Sequence, residues 1–220
     1  LDFQGTKMSK SLGNVIAPQE VTSSAGADLL RLWVASSDYR EDVRVSPEIL
    51  SHVADTYRKI RNTLRFCLAN VSDFQPAGSS VPVEKMAEQE RWALSHLGEL
   101  VQEVTQAYEA FAYHRVVRAL HEFCTVKLSN FYLDLVKDKL YVSLPDDPAR
   151  RGIQTVLDRI AETMIRLMSP LLPMTADEAW ESLRGPENRL EMYRWPDPAD
   201  YSRDPELEAA FARLAKRYPA

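Results

Sequence analysis

Apolar residues recur every three or four positions along most of this chain, which is the spacing that places them on one face of an α-helix. Four such stripes run through Val53, Tyr57, Ile60, Leu64, Cys67 and Val71; through Leu97, Val101, Val104, Tyr108 and Phe111; through Leu120, Cys124, Leu128, Phe131 and Leu135; and through Ile153, Val156, Leu157, Ile160, Met164 and Leu167. No alternating pattern of any length competes with these stripes. The pattern predicts an all-α protein, an antiparallel helical bundle with short loops.

Polar residues and prolines mark the predicted ends of the helices. Ser46 is placed to cap the first long helix, with Pro47 at its first position. Two shorter connector helices are predicted before it, at residues 18 to 23 and 27 to 36. Thr175 and Glu178 have the spacing of a capping box at the start of a further helix. Prolines and glycines predict loops at 76–82, 145–148 and 185–205.

Composition narrows the class of protein. The 220 residues are 45% hydrophobic, enough for one or two globular domains with a real core. The 27 basic and 32 acidic residues give a net charge of −5, so any contact with nucleic acid must come from a local basic patch. Neither a run of 18 apolar residues nor a cysteine framework is present. We therefore expect a soluble cytoplasmic protein with reduced thiols and no membrane segment.

The stretch TKMSKSLGN, residues 6 to 14, carries the most specific chemistry, and we call it the lysine loop. Two ammonium groups, several hydroxyls and a glycine can hold phosphate oxygens, and a mobile lysine can follow the charge that develops on a leaving pyrophosphate. Most loops of this composition are simply solvated. The order of the residues, however, is more specific than the composition.

KMSKS followed by LGN resembles the signature loop of class I aminoacyl-tRNA synthetases, with a complete match from Lys7 to Ser11. Four later stretches, in the same order as in the family, resemble successive blocks of isoleucyl-tRNA synthetase: residues 26–50, 57–74, 128–141 and 172–180. The resemblance covers about residues 1–196. The string DYREDVRVS favours the isoleucine enzyme over its valine, leucine and methionine relatives.

The resemblance implies a ligase that activates isoleucine with ATP and Mg²⁺ and then charges a tRNA. It implies a catalytic role for Lys10, which would stabilise the triphosphate in the transition state, with Lys7 and Ser9 shaping the loop. The implied ATP-binding residues are Lys7, Met8, Ser9, Lys10 and Ser11.

The HIGH-type motif of the family has no counterpart in the sequence. The nearest string, from His96 to Glu99, is predicted to be an ordinary helix turn with a solvated histidine. We therefore expect a fragment that binds ATP and isoleucine only through an absent catalytic domain and that is inactive alone.

Three regions and a monomeric state are expected. Residues 1–46 would be the KMSKS loop and connector, 47–184 the anticodon-binding bundle, and 185–220 a terminal loop with the start of a further helix. The tRNA would be the partner. A valyl-type relative remains an alternative, as does a non-enzymatic helical module that binds RNA or a protein.

A row of arginines is the predicted tRNA contact. Arg58, Arg61 and Arg65 fall at spacings of three and four on one helix face. They could equally be solvated or paired with acids on a neighbouring helix. The second basic set, Lys127, Lys137, Lys139, Arg150 and Arg151, is interspersed with aspartates, so pairing is favoured there.

No metal site is predicted. His121 and Cys124 lie one helical turn apart, but two ligands do not complete a zinc site. Cys67 and Cys124 both fall on apolar stripes, where a cysteine behaves as a small hydrophobic residue. Phe131 and Tyr132 are interpreted as core residues rather than as platforms for stacked bases.

Overall fold

The computed structural model describes residues 1–2, 4–201 and 203–217, and the side chains of the last helix only as far as residue 214. Across these residues there is no β-strand, so the predicted all-α class is confirmed. The helices, in chain order, are α1 (Pro18–Ala25), α2 (Ala27–Ser36), α3 (Pro47–Asn70), the single turn α4 (Pro76–Ser79), α5 (Glu88–Glu109), α6 (Tyr113–Glu122), a π-helical segment (Phe123–Tyr132), α7 (Leu133–Val142), α8 (Pro148–Met168), α9 (Pro173–Arg184) and α10 (Pro205–Arg217).

Helix α8 lies at the centre of the bundle and packs against α3, α5, α7 and α9. All six apolar residues of the fourth stripe have no exposed surface. The helix begins as its sequence indicates, because the Asp147 carboxylate accepts hydrogen bonds from the N–H groups of Ala149 and Arg150, at 2.8 and 3.2 Å, and Pro148 occupies the first position.

The first long helix, α3, begins where its capping residue and proline predict. The Ser46 hydroxyl accepts a hydrogen bond from the Ile49 N–H at 3.2 Å, and Pro47 opens α3. Val53, Ile60, Leu64 and Cys67 are buried in the core. The two connector helices are present at almost the predicted positions, and α2 packs against both α3 and α6. The connector therefore contributes directly to the core through Leu29 and Leu32.

The third stripe is wrong at Leu135, while Phe131, which is partly buried, packs against the core as predicted. Leu135 is 53% exposed, whereas Tyr132 and Val136 are 0% and 1% exposed. The cause is the π-helical segment between α6 and α7, whose turns are wider than those of an α-helix. A run spaced by four, through Cys124, Leu128, Tyr132 and Val136, therefore stays buried, whereas the same run would drift around a regular α-helix. The prediction that Tyr132 is a core residue is confirmed.

Two other predictions near helix ends are wrong. Phe111 is 63% exposed with φ of 54°, because α5 ends at Glu109 and the chain turns towards α6. Thr175 does not cap α9, since Pro173 already opens that helix two residues earlier. The Thr175 N–H and hydroxyl instead both donate to Asp28 of α2, at 2.7 and 2.6 Å. The Asp28 side chain, from another helix, therefore accepts a hydrogen bond from an N–H group in the first turn of α9, as a capping residue would.

The C-terminal region returns to the bundle. The Trp195 indole N–H donates to the Thr105 hydroxyl at 2.9 Å, and α10 packs against α5. A Cβ at Gly98 would lie 3.0 Å from the Cβ of Tyr201, so the glycine permits this close approach. None of the described helices combines the length and the apolar composition that a membrane span needs.

Candidate functional site

The lysine loop is held by side chains on either side of its two lysines. The Ser9 hydroxyl accepts from the Leu12 N–H at 3.3 Å and so caps the single 3₁₀ turn Lys10–Leu12. The Asn14 side chain accepts from the Ser9 N–H and donates to Asp2, both at 2.9 Å. Gly13 closes the turn in the left-handed conformation, with φ of 65°, which glycine adopts without strain.

Asp2 and Asn14 are therefore the scaffold of the lysine loop. Asp2 also accepts from the N–H groups of Thr6 and Gln4, at 2.8 and 3.0 Å. The Asn14 amide, followed by the Thr6 N–H, holds the pKa of the Asp2 carboxyl below its usual value. The sequence reading assigned no role to either residue. The sequence does contain the signal, since an acid, Asp2, precedes the loop and an amide, Asn14, ends it.

Lys7 and Lys10 are exposed, and in the described part of the chain neither forms an ion pair. Met8 and Ser9 are half-buried, and the Ser11 hydroxyl lies 3.1 Å from that of Ser9. The loop thus offers two uncompensated positive charges on a small scaffold of hydroxyls and backbone. This arrangement suits a polyphosphate.

Two of the three predicted arginines line one groove between α3 and α9, which we call the arginine groove. Its volume is about 460 Å³, and Arg61 and Arg65 lie on its α3 side. Thr175, Glu178 and Ser182 lie on its α9 side. Arg61 is 3.7 Å from Glu178 and remains 46% exposed. Within the described residues Arg65 has no ion pair.

Arg58 lies outside this groove. Its guanidinium pairs with Asp55, one turn earlier on the same helix, at 2.5 Å, and Nε donates to the Ala54 carbonyl at 3.3 Å. Its charge is therefore partly compensated within α3. The three arginines do lie along α3, as their spacing predicts, but only Arg61 and Arg65 line the groove.

The second basic set is largely paired. Arg150 donates two hydrogen bonds to Asp73, at 2.7 and 3.1 Å, and Lys137 pairs with Asp134 at 2.8 Å. The Arg150 guanidinium holds the pKa of the Asp73 carboxyl at about 2. The Arg150–Asp73 contact fastens the start of α8 to the turn that follows α3, whereas the Lys137–Asp134 pair lies within α7.

His96 is buried, so the prediction that it is solvated is wrong. It is 6% exposed and packs edge-on against Trp92, with ring centroids 4.5 Å apart. Its Nδ1 lies 2.7 Å from a Glu99 carboxylate oxygen. Helix α10 covers this part of α5, which single-helix periodicity could not reveal.

Ligand-type atoms of His96, Glu99 and Glu208 lie within 4.8 Å of one another. Arg203 already pairs with both carboxylates, at 3.5 Å for Glu99 and 2.7 Å for Glu208. The Ser95 hydroxyl donates to Glu208 as well. A guanidinium therefore supplies the positive charge in this cluster, and the cluster fastens α10 to α5.

Neither cysteine has a reactive environment. Both are completely buried, and burial raises the pKa of the Cys67 thiol to about 12. Burial also raises the pKa of Cys124. Both behave as the small core residues that the sequence indicated.

Comparison with known proteins identifies the family. The family model described as the anticodon-binding domain of tRNA ligase matches residues 90–216, more than half of the chain. The chain belongs to this tRNA ligase family. A second model, described as tRNA synthetases class I (I, L, M and V), matches residues 1–46, which include the lysine loop.

Curated relatives of the chain are isoleucine–tRNA ligases. Those of Desulfotalea psychrophila and Syntrophomonas wolfei are 47% and 45% identical to it, over 98% and 97% of the chain. The chain spans about a quarter of the length of these relatives, 24% and 23%. The resemblance to isoleucyl-tRNA synthetases is confirmed.

Solved structures of tRNA ligases share the fold. A leucine enzyme from Agrobacterium radiobacter, in a ternary complex with tRNA and LeuAMS, matches 91% of this chain and 24% of its own, with a TM-score of 0.66 and 20% identity. A Mycobacterium tuberculosis methionyl-tRNA synthetase in complex with methionyl-adenylate matches 84% of this chain and 37% of its own, with a TM-score of 0.68 and 21% identity.

Proposed function

We propose that this chain is part of an isoleucine–tRNA ligase, in which it supplies the ATP loop and the helical tRNA-binding domain. The observation that supports the proposal most is the 45–47% identity to isoleucine–tRNA ligases over nearly the whole chain. Isoleucine and ATP would be bound mainly by a catalytic domain outside these residues. The division at residues 46 and 184, the monomeric state and the cytoplasmic location stay predictions.

Lys10 would stabilise the negative charge that develops on the triphosphate as the adenylate forms. Lys7 would add a second ammonium group, and Ser9 would fix the shape of the loop through its cap on Leu12. Met8 and Ser11 would complete the contact with ATP. Mg²⁺ would arrive with ATP as part of the substrate. The exposed, unpaired state of both lysines suits this role.

The arginine groove would contact the tRNA backbone. Arg61 and Arg65 present two positive charges to one groove, and the hydroxyls of Thr175 and Ser182 lie opposite. Phosphate contacts position an RNA without reading its sequence. Arg58 remains a predicted contact, and we expect the smallest effect from it because Asp55 already compensates its charge.

Titration of the 220-residue chain with tRNA tests this role of the groove. Arg61→Ala combined with Arg65→Ala should weaken binding several-fold at low salt and reduce the slope of log affinity against log salt by about one to two. The matched control is Lys137→Ala combined with Lys139→Ala, which removes the same charge from α7. If both double variants bind alike, α3 presents only a solvated face and this assignment fails.

A further inference from the structure

The connector helix α2 is fastened to the corner between α8 and α9 by two side chains one turn apart. The Asp28 carboxylate accepts from the N–H and the hydroxyl of Thr175, at 2.7 and 2.6 Å. Arg31 donates to the carbonyls of Leu171 and Pro170, at 3.0 and 2.7 Å. The carboxylate of Asp28 thus binds N–H and hydroxyl donors in the first turn of α9, and the guanidinium of Arg31 binds carbonyls just after α8. Negative charge at a helix N-terminus and positive charge near a C-terminus are both favourable.

The same corner forms one wall of the arginine groove. Thr175 lines the groove, and Glu178 is its neighbour one turn further along α9. The Thr175 hydroxyl donates its hydrogen bond to Asp28, so it accepts the hydrogen bond that joins it to the Tyr57 hydroxyl, 2.9 Å away. A continuous chain of hydrogen bonds therefore runs from Asp28 of α2 through Thr175 of α9 to Tyr57 of α3, one turn before Arg61.

Asp28 holds Thr175 through one oxygen of a buried carboxylate. It is 6% exposed, and its second carboxylate oxygen has no hydrogen-bond partner among the described residues. Burying a carboxyl group with an unpartnered oxygen is costly. The two donors of Thr175 need only one acceptor oxygen, and an asparagine would also provide that oxygen.

Resting on the proposed function, we propose that Asp28 and Arg31 are positioning residues for tRNA. They hold the first turn of α9 at the distance from α3 at which Arg61 and Arg65 can both reach one RNA backbone. Helix α2 follows the lysine loop and α1 along the chain. The contacts of Asp28 and Arg31 therefore also connect the segment that carries the loop to the arginine groove.

The test compares Asp28→Ala, Asp28→Asn and the control Asp177→Ala, an exposed acid on α9. Removing a negative charge should by itself strengthen binding of a polyanion, which is what we expect for Asp177→Ala. For Asp28→Ala we expect the opposite sign: tRNA binding about fivefold weaker. Asp28→Asn keeps an acceptor for Thr175 and loses the negative charge, so it should bind tRNA at least as tightly as the unmodified chain does.

Amide exchange provides a second measurement that does not involve tRNA. Asp28→Ala should speed exchange over 27–36 and 173–178 and leave α5 unchanged. If Asp28→Ala does not fold, Arg31→Lys replaces it, since lysine keeps the charge but lacks the planar fork whose Nε and Nη2 reach the two carbonyls. That variant should bind tRNA about twofold more weakly and show the same local exchange.

The outcomes separate the two proposals. Normal tRNA binding by the Arg61 and Arg65 double variant overturns the function proposed for the groove. If that double variant binds weakly while Asp28→Ala binds as tightly as Asp177→Ala, only the positioning role is overturned. Unchanged exchange over 173–178 in Asp28→Ala also overturns it.

Discussion

Arg61 and Glu178 face each other across the arginine groove, with the guanidinium Nη2 3.7 Å from the carboxylate Oε1. Both side chains keep much of their exposure, 46% for the arginine and 75% for the glutamate. An exposed pair at this distance stabilises a fold by little. Its consequence is electrostatic, because the carboxylate competes with any phosphate for the same guanidinium.

Glu178→Gln should therefore strengthen tRNA binding. We expect affinity to rise roughly two- to threefold at low salt, with a steeper dependence on salt, because one more positive charge becomes available to phosphate. Titration of the chain with tRNA at several salt concentrations measures both quantities. Glu181→Gln, an exposed acid on the same helix outside the groove, is the control. Equal gains in the two variants would contradict a specific role for Glu178.

The 220-residue chain should not catalyse isoleucine-dependent exchange of pyrophosphate into ATP. The resemblance implies that the adenosine site and the amino-acid pocket belong to a separate catalytic domain, and the chain spans about a quarter of its relatives. The assay is exchange of labelled pyrophosphate, with Lys10→Ala as the control for contaminating activity. Exchange by the unmodified chain above that control would overturn the fragment interpretation.

Most of the fold could be predicted because local signals and burial agree. Ser46 and Pro47 mark the start of α3, and the apolar stripe of α8 is buried throughout. The errors arise where the geometry departs from a regular α-helix or where a distant helix intervenes. Leu135 is exposed because a π-helical segment shifts the register, and Thr175 is bound by Asp28, 147 positions away.

The candidate site was only partly predictable for the same reason. The lysines of the loop carry a recognisable local pattern, and the arginine spacing defines a helix face. Sequence spacing could not show that Arg58 pairs with Asp55 while Arg61 and Arg65 enter a groove. Nor could it show that Glu178 lies opposite, because that relationship depends on how α9 packs against α3.

Acid should weaken the contact between α3 and α8 over a defined pH range. Arg150 and then Gln154 hold the pKa of Asp73 at about 2, below the usual value of 3.8. A lowered carboxyl pKa stabilises the folded state above the usual value, and that stabilisation is lost as pH falls from about 4 to about 2. Because Asp73 is 41% exposed, we expect only about 0.5–1 kcal/mol.

Denaturant unfolding at several pH values between about 2 and 5 measures this contribution. Asp73→Asn should be less stable than the unmodified chain at the upper end of this range, and the difference should shrink towards the lower end. Asp134→Asn, at the exposed pair with Lys137, is the control. A constant difference across the range would show that protonation of Asp73 does not govern the contact.

The buried hydroxyl of Tyr132 should be dispensable. Tyr132 has no exposed surface, and no described group within hydrogen-bonding distance pairs with its hydroxyl. Replacing it with hydrogen in Tyr132→Phe removes a desolvated polar group and keeps the ring, so the free energy of unfolding should rise by about 1 kcal/mol. The matched variant is Tyr108→Phe, which deletes a hydroxyl that donates to the Leu167 carbonyl at 3.0 Å. That change should lower stability by about 1–2 kcal/mol, because it leaves a buried carbonyl without its partner. Denaturant unfolding of both variants measures the two changes, and a loss for Tyr132→Phe as large as that for Tyr108→Phe would show that the hydroxyl of Tyr132 is bonded in solution.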